Sequence, residues 1–524
     1  VGNGAAGALG ITQETLALAK QALSAGMRPE DMSDPLRKAI TQASGLVAFN
    51  LEAPSKKLFP VLTPFRNKIP RDTGGKGTAV QWKAVTKINA TGVSAGVSEG
   101  NRGAVISTTT QSLTAAYKGL GLEDYVTYEA EYAGRTFEDA KALAVMNLLS
   151  ALMIAEESVI IGGNASTGLG TTPTPTVANS GTGGTIAAAT YDVIAVALTT
   201  EGWTNSAVGV SGVPVGPISR TNADGTIDVI GVGVAQKSAA SSGTTTSGST
   251  SSITASVTPV PRAVAYAWYV GTSGAERIVA ITGGNSVLIT ALPGGTNQLA
   301  SALPSSDQST NTLVFDGIIP QVIGPGALTT YQAVGSSATL FQGSTGGLVM
   351  QMATGVAGTG TPLTADGKGG IVEWDAMLRA FWDLSRLSPV RIWVNAQEAQ
   401  NAATKVLTAS GSGVQRFIQT TVDGVTGGVY LKSYYNKFGT GGGQVIDIAL
   451  HPNLPPGTTL FETEQLPYRA NNVPSVLRMD IRQEYYQIEW SPRTRKYEYG
   501  EYVDEVLKCY FPGAFGVVMN VANG

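Results

Sequence analysis

The chain of 524 residues holds one cysteine, Cys509, and one histidine, His451. A lone thiol cannot close an intrachain disulfide, and one His with one Cys cannot supply a usual zinc ligand set. A Ser-His triad has only His451 to serve as base, and that residue sits in the proline-rich stretch "ALHPNLPPG". Charge is scarce as well: charged residues make up 14%, against roughly 25% in an average soluble domain. The 35 Lys and Arg against 38 Asp and Glu leave a net charge of −3, so no strong field attracts nucleic acid or repels it. The opening "VGNGAAGALG" lacks the basic start, apolar core and cleavage site of a secretory signal. Val1 fits a removed initiator Met or a processed end equally well. The longest apolar region, Leu143 to Ile161, carries Asn147, Glu156 and Glu157, which argues against a membrane span. A soluble protein from a reducing compartment, or one assembled there, is expected.

What is present is apolar and glycine-rich: 43% hydrophobic residues and 65 glycines. This length calls for two to four domains. So few charges suit a chain that buries much of its surface against other subunits, because interface cores are depleted in charge.

Residues 1–50 read as an arm with two short helices, the second opened by Asp34 and Pro35. From Asp72 to Leu122 the pattern alternates: "TAVQWKAVTKINA", a Gly-rich tip "TGVSAGVSEGNRG", then "AVISTTTQSLTAAYKGL". This predicts a long hairpin that needs support from another surface, since an isolated hairpin is marginal in water. A helix follows from an expected Thr136 N-cap to Ile161, roughly 40 Å long at ~1.5 Å per residue. From about Thr185 to Ala300 the signal is all-β, with "NADG" as a hairpin turn. The run "SSGTTTSGSTSS", Ser241 to Ser252, has strands on both sides and reads as a mobile loop within one β domain. Tyr266, Trp268 and Tyr269 resemble the central strands of immunoglobulin-like sandwiches. Beyond Leu313 come an amphipathic helix stopped by Pro389, the strand "VRIWVNA", the helix "QEAQNAATKVL" and a C-terminal hairpin around "SPRT".

Each chemical motif has a plainer alternative. "GVSAG", Gly92 to Gly96, has the nucleophile-elbow spacing but no following helix. "NADGTID" resembles a calcium loop with Arg220 in the first ligand position, so a turn is expected. "TGGKGT", Thr73 to Thr78, lacks the phosphate-loop spacing. The sequons "NAT" and "NAS" lack a secretory context. Glu156 with Glu157, and Glu462 with Glu464, are carboxylate pairs that nothing in the sequence singles out for acid–base work. No enzyme activity, metal or cofactor is expected.

The order of parts carries more information: an arm, a hairpin with a Gly-rich tip, a long helix ending in "EESVIIGGNASTG", "RIWVNAQEAQNAATKVL", "DIALHPNLPPGTTLFE" and a final hairpin. It resembles the major capsid proteins of tailed bacteriophages, the Hong Kong 97-type fold, over roughly residues 1–180 and 310–524. The resemblance implies an α+β chain with five parts. These are an N-terminal arm (1–50), an extended loop (about 72–122) and peripheral domain with its spine helix (136–161) within 51–180, and an inserted immunoglobulin-like β domain (181–305), which departs from the minimal family pattern and is expected to project outward. An axial domain (306–430) and C-terminal strands (431–524) complete it. It further implies a virion subunit that partners itself in hexamers and pentamers around double-stranded DNA, with portal, scaffold or decoration proteins as further partners and no membrane. Trp82, Glu99 and Arg102 are the expected inter-subunit contacts. A β-rich adhesin or tail-fibre-type glycan-binding protein is the alternative; it explains the Gly/Ser/Thr content but not the arm and long helix. A glycoside hydrolase with a carbohydrate-binding insertion is a third class.

Overall fold

The computed structural model describes residues 56–88, 95–134, 139–222, 224–408, 419–421, 424–426, 431–439 and 443–522. The two arm helices, the Thr136 cap and Ser94 of the elbow-like motif lie outside the described residues. The chain divides into two compact units, residues 1–59 with 132–139, and residues 60–131 with 140–524. Almost all of the described residues belong to the second, which is of the expected α+β class.

Two strands of the second unit form the extended hairpin: Ala79–Ile88 and Thr108–Ala116, paired antiparallel with Trp82 opposite Leu113. The hairpin ends earlier than Leu122. From Lys118 to Thr127 the chain is an edge strand of a four-stranded sheet, next to Lys496–Cys509, then Leu477–Trp490, then Arg71–Thr73. The C-terminal hairpin expected around "SPRT" thus forms the middle of this foundation sheet, with Leu477 opposite Cys509. The long helix, Ala140–Gly162, crosses it and shares a small core of Leu148, Val126 and Tyr499. By length and composition alone this helix could cross a membrane. Its last turns instead lie in the protein core, with Glu156, Glu157, Ile160 and Ile161 buried. It stops where Gly163 and Gly317 meet backbone to backbone, the Gly317 N–H donating to the Gly163 carbonyl at 2.7 Å. A Cβ on Gly163 would stand 2.5 Å from the Phe315 carbonyl oxygen, so only glycine fits this crossing.

The β region is a sandwich. One sheet holds Thr176–Ser180, Ser252–Ser256 and Ser286–Ile289; the other holds Arg277–Thr282, Ala265–Gly271, Thr190–Leu198 and Thr244–Thr245. Their facing sides follow the two-residue period of a strand: Val193, Ala195, Ala197, Tyr266, Trp268 and Val270 against Ile253, Ala255, Val287 and Ile289. The aromatic stretch is a central strand, as expected, with Trp268 opposite Ala195. Two expectations are corrected. First, "SSGTTTSGSTSS" is anchored to the sandwich along its length: Ser241, Thr244, Thr246, Ser251 and Ser252 are buried, and Ser247 to Thr250 stay exposed. Its hydroxyls supply what an irregular backbone lacks, since Ser241 Oγ accepts from Val193 N at 2.9 Å, as Ser238 Oγ just before it does from Ala195 N at 3.0 Å. Second, the sandwich does not simply project. The other side of its second sheet, with Ile194, Val196, Leu198, Ala267 and Tyr269, belongs to the same core cluster as Phe315, Ile319 and Val322. Burial on both faces explains why "VIAVAL" and "AVAYAWYV" are almost continuously apolar.

The remainder is an eight-stranded mixed sheet, ordered Thr329–Val334, Ala338–Gln342, Leu348–Met352, Phe515–Met519, Thr459–Glu462, Arg391–Val394, Gln444–Leu450 and Ser433–Asn436. The amphipathic helix Val372–Ser385 lays Trp374 and Phe381 on Phe461 of this sheet, ring centroids 5.9 and 6.5 Å apart. It ends before Pro389, at Arg386, whose left-handed conformation (φ 54°) returns its N–H to the Trp382 carbonyl. The helix Ala396–Thr408 follows the strand "RIWV", as predicted.

Trp268 is fully buried and its Nε1 donates to Thr282 Oγ1 at 2.8 Å. Trp268→Ala should cost about 3–5 kcal/mol in urea denaturation, because a two-ring cavity opens and a hydroxyl loses its donor. A loss below about 1 kcal/mol would show that the two sheets do not depend on this side chain.

Candidate assembly surface and its buried anchor

The extended hairpin pairs only with itself, so no strand covers either of its edges among the described residues. Val85 and Ile88 on the first strand, and Val97, Val105 (92% exposed) and Ile106 toward the tip, lie uncovered among exposed polar residues such as Gln81, Lys83 and Thr108. Glu99 and Arg102 lie exposed at its tip, where Gly100 takes φ 80°. Trp82 lies elsewhere, near the base. Its ring meets Tyr510 edge-on at 6.0 Å, and Lys508 Nζ stands 5.2 Å from its centroid. The structure therefore does not bring the three expected contact residues together. Trp82 packs against its own subunit, and the two charges face outward at the far end. Between hairpin base and body runs a cleft of about 400 Å³ whose lining includes Trp82, Leu113, Phe315, Pro320, Tyr510 and Phe511. Cys509 is buried beside it, and burial pushes its thiol up to about 12, so it is no nucleophile at neutral pH.

The chain that leads into the hairpin is fixed at the end of the long helix. Glu157 accepts from the backbone N–H of Phe65 at 2.8 Å and of Arg66 at 2.7 Å, and His451 Nε2 lies 2.6 Å from the same carboxylate. Phe65 is fully buried between Trp393 and His451, with ring centroids 4.6 and 5.3 Å away. Glu156 accepts from Arg66 Nε at 2.8 Å, from Arg71 and from the Tyr485 hydroxyl. Arg71 also reaches Glu505 at 3.3 Å. Lys68 bridges Glu462 at 2.5 Å and Glu464 at 2.6 Å, and Trp393 Nε1 donates to Glu462 at 2.7 Å. One short segment, residues 65–71, thus joins the long helix, the foundation sheet and the large sheet.

This cluster is chemistry of attachment. Glu156, Glu157, Glu505 and His451 are closed to solvent, and the first two are saturated by donors. Burial, and then the charge of Glu156, push Glu505 up to about 8, and its Oε1 has no hydrogen-bond partner among the described residues. Glu505 therefore favours its protonated form, and Arg66 and Arg71 pair with Glu156. No group of three His, Cys, Asp or Glu that could hold a metal ion occurs among the described residues. Arg220 of the calcium-like motif pairs with Asp228 at 2.8 Å across a hairpin, with "NADG" as its turn. Sequence reasoning placed the two adjacent glutamates at a helix end without assigning them a role. The available signal was "EE" inside an otherwise apolar helix, since buried carboxylates demand donors.

No protein-family model matches the chain, and no curated protein matches it either. Among solved structures it is similar to the capsid of a native GTA particle, with 8% identity and a TM-score of 0.42 over 93% of this chain and 99% of that one. The capsid of cyanophage A-1(L) gives 11% identity and a TM-score of 0.40 over 92% and 99%. The capsid of Myoviridae phage XM1 gives 9% and 0.38 over 92% and 98%.

Glu505 binds its proton more tightly folded, at about 8, than unfolded, near 4.5. Its contribution is thus fully present below about pH 4.5 and is lost as pH rises through about 8. Stability should fall across that window with a slope on the order of 1 kcal/mol per pH unit, and Glu505→Gln should flatten it. An unchanged slope in the variant, read from denaturant midpoints between pH 5 and 8, would contradict a neutral Glu505.

Proposed function

We propose that this chain is the major capsid protein of a tailed double-stranded DNA bacteriophage, a structural subunit of an icosahedral head located in the virion. The observation that carries this reading is the extended hairpin. Its first strand exposes Val85 and Ile88, and the segment leading into its second strand exposes Val105 and Ile106, although the subunit already has a complete core of its own. An apolar hairpin without a supporting sheet is marginal in water, so a neighbouring molecule is needed to cover it. The buried anchor at residues 65–71 supports the same reading: it holds the hairpin's root rigidly, which suits an element that bears load between subunits. The order of arm, hairpin, long helix and axial elements, which resembles the Hong Kong 97-type fold, supplies the identity of the neighbour as another copy of the chain.

In this reading Glu99 and Arg102 make polar contacts at a neighbour's surface, and Trp82 positions the hairpin's root against Tyr510. Hexamers and pentamers form the shell, its inner face meets packaged DNA without sequence preference, and portal, scaffold or decoration proteins join it. The low net charge of −3 fits a DNA contact that is loose rather than condensing. The chain acts through its interfaces and not as an enzyme.

The purified chain should give closed shells, or rings of five and six, by negative-stain microscopy and sedimentation velocity. Replacing residues 89–106 with a two-residue turn should abolish them while leaving the subunit folded. A chain that stays monomeric at every concentration while its sandwich binds glycans would establish the adhesin alternative instead.

A further inference from the structure

A second hairpin, far smaller, is also left uncovered. Ile218–Thr221 and Ile227–Ile230 form a two-stranded sheet that grows from the sandwich and pairs with no other strand among the described residues. It is rooted at Val213 and Val232, both buried, and beyond them nearly every residue is exposed. The exposed set is apolar on both faces: Ile218 on one, Ile227 (63%) and Val229 on the other, with Val208, Val210 and Val215 nearby. Two four-residue strands cannot sustain themselves in this state, and two bare edges invite pairing.

The first face has a particular order. Cross-strand partners are Ile218 with Ile230 and Arg220 with Asp228. These are the face's only charges, one of each sign, and the Arg220 side chain remains 60% exposed despite its ion pair. A two-fold axis along the strands would lay Arg220 over the partner's Asp228 and Ile218 over the partner's Ile230. A second copy thus meets a matching charge at each position, as an isologous contact requires. The hairpin has no excess of basic groups to hold phosphate.

We propose that the Ile218–Ile230 hairpin is a self-complementary contact between two copies of this chain, related by a local two-fold axis. The inference rests on the shell reading for the setting of the contact, and it adds the surface by which neighbouring subunits are joined through the sandwich.

Charge reversal tests it. Arg220→Asp leaves the face doubly negative and Asp228→Arg leaves it doubly positive. Either change breaks only an exposed ion pair within the subunit, so folding persists and circular dichroism checks this. Each variant of the full chain alone should lose self-association at least tenfold by sedimentation velocity. Equimolar co-expression of the two should restore it, because only the contact between unlike copies regains opposite charges; the pair within each subunit stays broken. Ile218→Ser should weaken association without altering charge. Single variants that associate as the unaltered chain does, or a mixture that fails to recover, would overturn the proposal. An unaltered chain that forms hairpin-dependent dimers but no shells would sink the shell reading and leave this contact standing. A chain with no self-association would overturn both.

Discussion

Two adjacent carboxylates at the buried end of a helix are the constraint on which the rest of the structure depends. Glu156 and Glu157 have no exposed surface, and a charge taken out of water is tolerated only when donors surround it. Those donors come from far along the chain: the backbone of Phe65 and Arg66, the guanidinium groups of Arg66 and Arg71, the Tyr485 hydroxyl and the ring of His451. Satisfying the helix end therefore fixes where residues 65–71 run. That in turn sets the root of the extended hairpin and aligns Arg71–Thr73 parallel to Met479–Ile481. A third carboxyl, Glu505, lies in the same pocket of charge, where burial and the charge of Glu156 favour its protonated form.

The rigidity of this anchor contrasts with what it carries. The subunit is well packed inside, with Trp374, Phe381, Phe461 and Phe515 all fully buried. Two of its paired-strand elements, the extended hairpin and the Ile218–Ile230 hairpin, nevertheless leave apolar side chains bare. Exposed apolar side chains on such projections gain stability when another surface removes them from water. A low density of charge makes the same demand over the whole surface.

The sandwich is bound into this arrangement. Its second sheet is buried on both sides, so Leu198 and Tyr269 contribute to the main core while Ala197 and Trp268 fill the space between the sheets. A force applied to the sandwich is transmitted to the body through packed side chains and not through a linker. The small hairpin at Ile218–Ile230 thus grows from a firmly packed base.

Much of the secondary structure was legible because period and punctuation are local. The alternation in "TAVQWKAVTKI", the apolar run before "GG", the turn "SPRT" and the aromatic strand at Tyr266–Tyr269 all formed the elements their patterns predicted. Composition alone also determined that no disulfide could close within the chain. Partners distant in sequence were decided only by tertiary structure. Nothing local shows that Glu157 would cap Phe65 and Arg66, or that His451 would complete the same carboxylate. The Ser/Thr run failed as a sign of mobility because hydroxyls bond to a neighbouring strand as readily as to water, and only the fold put Val193 beside Ser241. Whether an alternating strand is covered or bare depends equally on what lies opposite it, so the exposure of the two hairpins became visible only once the subunit's own core was closed without them.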